Sequence, residues 1–125
     1  MKPKHPSPKQ LLGNKGEDLA VSYLQKHGYR IIARNFKARY GELDIIATQD
    51  NVLVFVEVKT RVGHQYGTPE EAITPRKLRE VVKTAQYFSM LHEELPQSLR
   101  VDVIGIELND YQEVVSFNHI QNVTL

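Results

Sequence analysis

Three charged side chains stand where strand-forming sequence would otherwise be apolar. Val52 to Val58 is apolar or β-branched at six of its seven positions; the exception is Glu57, and Lys59 follows two residues on, on the same face of a strand. Asp44 interrupts Leu43-Asp44-Ile45-Ile46 in the segment before it. The turn signal Asp50-Asn51 folds the two segments into a hairpin and brings Asp44 and Glu57 to about the same level on neighbouring antiparallel strands. Two carboxylates so placed repel each other, and burying either is costly without compensation. A divalent cation between them reverses the sign. Hard Mg²⁺, or Mn²⁺, takes oxygen ligands and is held by one or two carboxylates together with substrate phosphate oxygens. Such an ion polarises a phosphate and helps generate hydroxide, while Lys59 offsets charge on the attacking water or the phosphorus.

Glu17 is the fourth residue of interest. On a helical wheel with Leu12 at zero, Glu17 lies about 140° round, beside Leu24 at about 120°, whereas Asp18 at about 240° faces solvent. A carboxylate at that rim can lean toward the sheet as a further metal or water ligand. Each residue also has a plainer explanation: Glu57 and Lys59 as an ion pair on an exposed strand end, Asp44 as the cap of a bulge, Glu17 as a solvated helix acid. Jointly, an acid, a hairpin and Glu-x-Lys closing a hydrophobic strand form a more specific pattern than any one of them.

The elements that must position these groups read as follows. Apolar residues at Leu12, Leu19, Ala20, Tyr23 and Leu24 predict an amphipathic helix over 11–27, stopped at Gly28. Strands follow at 29–34, 41–48 and 52–58, with residues 35–40 as a basic link between the first two. The third strand, apolar on both faces, is central. A loop over 61–67 leads to two Thr-Pro pairs, Thr68-Pro69 and Thr74-Pro75, each a helix start. A second helix runs from Pro75 to about Leu95, with Leu78, Val81, Val82, Ala85, Phe88 and Leu91 on one stripe, and is ended by Pro96. Strands at 99–108 and 112–118 flank an Asn109-Asp110 turn. The order α-β-β-β-α-β-β predicts an α/β fold, a mixed central sheet flanked by helices.

The chain has 125 residues, of which 41% are hydrophobic and 25% charged, a globular composition sized for one domain. Residues 1–10, rich in proline and lysine, read as a flexible basic arm, and 11–125 as one domain. Cysteine is absent, which removes disulfide and iron–sulfur readings and is compatible with a cytoplasmic location. No apolar run is long enough to span a bilayer, and the N-terminal charge has no hydrophobic stretch behind it, so a secretory signal is not expected. The net charge of +1 hides a polarity: residues 1–41 hold nine bases and two acids, +7, and residues 42–125 hold seven bases and thirteen acids, −6. A basic end suits a polyanion, although a solvated tail and solvated helix faces would give the same balance.

The arrangement Asp44, then Glu57-Val58-Lys59, with Glu17 on the preceding helix, resembles the PD-(D/E)XK nuclease superfamily, and Glu17 stands as in archaeal Holliday junction resolvases. Leu43 stands where the superfamily signature has proline. The segments Gly13-Asn14-Lys15-Gly16-Glu17, Gly41-Glu42-Leu43-Asp44, Phe55 to Arg61 and Thr68 to Lys77 are similar to the bacterial YraN-like family, described as predicted endonucleases. The resemblance implies a restriction endonuclease-like αβββαβ core, a catalytic set of Glu17, Asp44, Glu57 and Lys59, and Mg²⁺ or Mn²⁺ on Asp44 and Glu57. It implies DNA phosphodiester hydrolysis, structure-selective on branched DNA, with a catalytically silent nucleic-acid-binding or adaptor module as the alternative. It also raises a homodimer, through the strand at 112–118 or the second helix.

Basic residues surround the expected site. Arg34, Lys37 and Arg39 precede the Asp44 strand, Arg61 follows Lys59, and Arg76 and Lys77 open the second helix, with Arg79 and Lys83 beyond them. Such residues bind phosphates without reading sequence. Tyr40 and Tyr66 can stack on an unpaired base or pack at the core's rim, and His64 can relay a proton or be merely solvated.

Overall fold

The computed structural model describes residues 5–63 and 67–123. His64 and Tyr66 lie outside the described residues. Helix α1 spans Pro8–Lys26, and three strands follow: β1 Arg30–Ala38, β2 Gly41–Gln49 and β3 Val52–Val62. A short 3₁₀ turn, Glu70–Ala72, precedes helix α2, Pro75–Leu91, and the chain continues through β4 Leu99–Leu108 and β5 Val114–Ile120. The α-β-β-β-α-β-β order expected from the sequence is present, and its first six elements follow the αβββαβ order of the core that the resemblance implies.

The five strands lie in sequence order in one sheet, antiparallel except for β3 and β4. That parallel pair needs a crossover, and α2 supplies it. Each helix covers one face. Ala20 and Leu24 of α1 pack with Ile45, Ala47, Val54, Val56, Ile104 and Ile106. Leu78, Val81, Ala85 and Phe88 of α2 pack with Leu43, Ile46, Leu53, Phe55 and Val101 on the other. β3 is therefore apolar on both faces because it is covered on both. The β2–β3 turn places Asp50 and Asn51 at φ 48° and 63°, the left-handed pair that tight hairpins require.

Several boundaries differ from the expected ones. Residues 8–10, read as arm, are helical: Ser7 caps α1, its Oγ accepting from Gln10 N–H while Gln10 Oε1 accepts from Ser7 N–H, and Pro8 opens the first turn. The basic link 35–40 is largely strand, since Phe36, Lys37 and Ala38 pair with Leu43, Glu42 and Gly41; an edge strand tolerates their polarity. β3 runs on to Val62 because β4 pairs with it that far. The first Thr-Pro pair yields only the 3₁₀ turn, with no side-chain cap, whereas Thr74 Oγ1 accepts from Lys77 N–H and caps α2. α2 stops at Leu91, before Pro96, and β5 starts at Val114. No helix among the described residues is long and apolar enough to cross a membrane.

Candidate active site

Backbone pairing between β2 and β3 runs from Gln49–Val52 to Ile45–Val56 and stops there. One position on, Asp44 and Glu57 stand opposite each other and their carboxylates replace the ladder. Asp44 N–H donates to Glu57 Oε2 at 3.2 Å, and Val58 N–H donates to Asp44 Oδ2 at 2.9 Å. The alternation of β2 also changes here: Leu43 packs in the α2-side core and Ile45 in the α1-side core, although residues two apart share a face in a regular strand. Asp44 thus sits where β2 turns away from β3, within electrostatic reach of both Glu57 and Glu17.

Glu57 is 3% exposed. Burial, then the Asp44 charge and the carboxyl–carboxyl contact with Asp44, push its pKa well above the ordinary glutamate value; Lys77, on the first turn of α2, opposes this weakly. Glu17 is also buried, and its pKa is raised, first by burial and further by Asp44, against a hydrogen bond from Arg34. Arg34, expected among the nucleic-acid contacts, forks between two α1 acids: Nε donates to Glu17 Oε1 at 3.0 Å and Nη2 to Asp18 Oδ1 at 2.6 Å. It orients Glu17 and ties α1 to β1. The approach of α1 to β3 depends on Gly16, where an added Cβ would collide with Thr60 Oγ1 and come within 2.9 Å of Thr60 Cβ.

Lys59 is half-buried and lines a cleft of about 350 Å³ with Lys9, Leu12, Arg61 and Gly63. Three bases so converge between the start of α1 and the end of β3. Lys9, absent from the expected set, belongs with them; its sequence signal was only membership of a basic arm. The charge of Lys77 acts weakly on Glu57, whereas Arg76 is exposed and pairs with Glu80 at 3.7 Å. Lys37 and Arg39 lie elsewhere, on the β1–β2 turn facing α2. The structure thus sets Asp44 against Glu57 with Glu17 in electrostatic reach of Asp44, lines a cleft with Lys59 and Arg61, and places Lys37 and Arg39 on a different cavity.

Among the described residues no three His, Cys, Asp or Glu side chains form a ready-made metal cage. Two carboxylates, one of them buried beside a like charge, are nevertheless the donor set Mg²⁺ or Mn²⁺ takes when substrate and water complete its shell. The donors are hard oxygens, so they fit that class of cation.

A fully buried aspartate went unread in the sequence. Asp102 of β4 accepts from Arg100 Nε at 2.9 Å and from Asn122 N–H at 3.0 Å, and lies 2.8 Å from His119 Nε2 on β5. Burial alone would raise its pKa, but the His119 and Arg100 hydrogen bonds outweigh that and hold it below the ordinary aspartate value. This network fastens β5 and the segment after it to β4.

Comparison with known proteins agrees on family and leaves activity open. The profile described as "Uncharacterised protein family UPF0102" matches residues 16–106. A UPF0102 protein of Caldicellulosiruptor saccharolyticus is 45% identical over 114 residues, covering 91% of this chain and 97% of that relative. One from Syntrophomonas wolfei is 44% identical over 111 residues, covering 89% and 95%. Among solved structures, a repair endonuclease from Pyrococcus abyssi aligns over 87% of this chain and 40% of that longer chain, at 16% identity and a TM-score of 0.34. By profile and by relatives matched over nearly their whole length, the chain belongs to the uncharacterised protein family UPF0102.

Proposed function

We propose that this protein is a metal-dependent nuclease that hydrolyses DNA phosphodiester bonds, with selectivity for branched DNA. The observation that carries the reading is the opposed pair Asp44 and Glu57 at the point where the β2–β3 ladder ends, with Glu57 buried against a like charge. A pair of carboxylates that repel each other is explained by a ligand that neutralises them. The resemblance to PD-(D/E)XK nucleases and YraN-like proteins supports the same roles for the same residues.

Asp44 and Glu57 would hold Mg²⁺ or Mn²⁺, which when bound polarises the scissile phosphate and lowers the pKa of a water. In hydrolysis a water oxygen bonds to phosphorus, the bond from phosphorus to a deoxyribose oxygen breaks, that leaving oxygen takes a proton from solvent, and one proton of the attacking water must leave. Glu17, with a raised pKa and an orientation set by Arg34, suits acceptance of that proton. Lys59 offsets charge on the phosphorus centre, and Lys9 and Arg61 in its cleft bind flanking phosphates. The test incubates purified protein with four-way junction, flap and linear DNA, with Mg²⁺, Mn²⁺ or chelator. Metal-dependent cleavage that favours the branched forms is expected. DNA binding with no cleavage of any substrate would instead make it a silent binding module.

A further inference from the structure

The β1–β2 turn and the outer side of α2 enclose an open cavity of about 400 Å³. Phe36, Tyr40, Tyr87 and Leu91 wall it, Lys37 and Arg39 stand at its rim, and no acid lines it. Gly41 leaves the turn at φ 149°, a conformation that L side chains rarely adopt, beside Thr84 of α2. Beneath the cavity Phe36 meets Phe88 edge-on at 5.1 Å, which closes the core. Above it Tyr40 and Tyr87 stay 50% and 40% exposed. Two large rings held out of a core that is already closed, under two cations, are the components of a base-stacking platform. Among the described residues neither Lys37 nor Arg39 is engaged in an ion pair, so both charges face solvent.

The same side of α2 connects this cavity to the candidate active site. Arg76, Lys83 and Tyr87 fall within about 40° of one another on the helix, and about 16 Å of axis separates Arg76 from Tyr87. Arg76 and Lys83 are exposed, and the charge of Lys77, next to Arg76, weakly favours ionisation of Glu57. A strand lying along this stripe meets cations from the carboxylate pair to the two tyrosines.

We propose that the cavity of Phe36, Tyr40, Tyr87 and Leu91 binds an unpaired nucleobase of a DNA strand, with Lys37 and Arg39 on its phosphates. Resting on the nuclease reading, this defines the substrate class as DNA that carries unpaired nucleotides beside the cut, because a base stacked in a duplex offers no face to either tyrosine.

The test is fluorescence anisotropy in chelator, so that nothing is cut, with a labelled oligothymidylate and a blunt duplex of the same length. Tyr40→Ala/Tyr87→Ala in the full chain is expected to weaken single-strand binding about tenfold and duplex binding less than about twofold, and Tyr→Phe at both positions to restore it. Tyr40→Ala alone, on an exposed turn, gives the same comparison if the double variant does not fold. An equal loss for both DNAs, or no loss for either, overturns the proposal. So does an unchanged affinity together with lost self-association, which would assign the cavity to a second copy of the chain. Cleavage by the unsubstituted protein with Mn²⁺ is scored separately. Its absence would contradict the nuclease reading and leave the binding comparison intact, and cleavage with unaltered binding by the variants would remove the base site alone.

Discussion

Glu57 is a buried acid set against a second carboxylate. Its native pKa lies well above the ordinary glutamate value because burial and the Asp44 charge oppose ionisation. The native state then keeps a proton that the unfolded chain has released. Stability from this group is fully present below the ordinary glutamate range and is lost as pH rises through the raised native value. Glu57→Gln removes that penalty and keeps an acceptor for Asp44 N–H. Without metal it should stabilise the protein at neutral pH by about 1 kcal/mol or more, about 3–6 °C in Tm, and flatten the pH dependence above the ordinary glutamate range. Calorimetric melts across pH would show this; a lowered Tm at neutral pH would mean the carboxylate is satisfied without a ligand. Asp102 is the counterpart, with a depressed pKa whose stabilisation is present above the ordinary aspartate range and lost as pH falls through the native value.

Elements decide which buried acids become a site and which become a fastening. Asp102 is surrounded by hydrogen-bond donors from β4, β5 and the segment that follows, and Asp102→Ala should cost about 3–5 kcal/mol in urea unfolding, because Arg100 and His119 would lose their shared partner. A cost below about 1 kcal/mol would show that the network does not hold β5. Both aspartates interrupt apolar strands in the same way, at Leu43-Asp44-Ile45 and Val101-Asp102-Val103. Asp44 was legible because a short hairpin sets its register against Glu57; apart from Arg100, two residues away, the partners of Asp102 are Tyr29, His119 and Asn122, brought to it only by tertiary pairing. The helices were legible from caps and apolar spacing, and the central strand from its two apolar faces. The strand character of 36–38 was hidden because an edge strand needs no apolar pattern. The fork of Arg34 onto Glu17 and Asp18 was hidden because pairing across α1 and β1 leaves no local trace.

At the scale of the whole molecule the opposed charges of the two segments resolve into surfaces. Lys9, Lys59 and Arg61 share one cleft, and the exposed stripe of α2 and the β1–β2 turn carry a second basic run. DNA affinity should therefore fall steeply with salt. Replacing both Lys9 and Arg61 by alanine should reduce the log–log slope by about 1–2 for single-stranded or duplex DNA alike. A slope indistinguishable from that of the unsubstituted protein would place the phosphates elsewhere. If Asp44 and Glu57 form the proposed cation-dependent hydrolytic centre, cleavage must need both carboxylates and the cation. Single-turnover cleavage of a labelled branched DNA by the unsubstituted protein, Asp44→Asn and Glu57→Gln, each with its melting curve, tests it most directly. Cleavage is expected to require Mg²⁺ or Mn²⁺ and to fall about 10²-fold or more in both variants, while Glu57→Gln melts no lower than the parent. Cleavage that persists in chelator, or variants that cut at the parental rate, would contradict it.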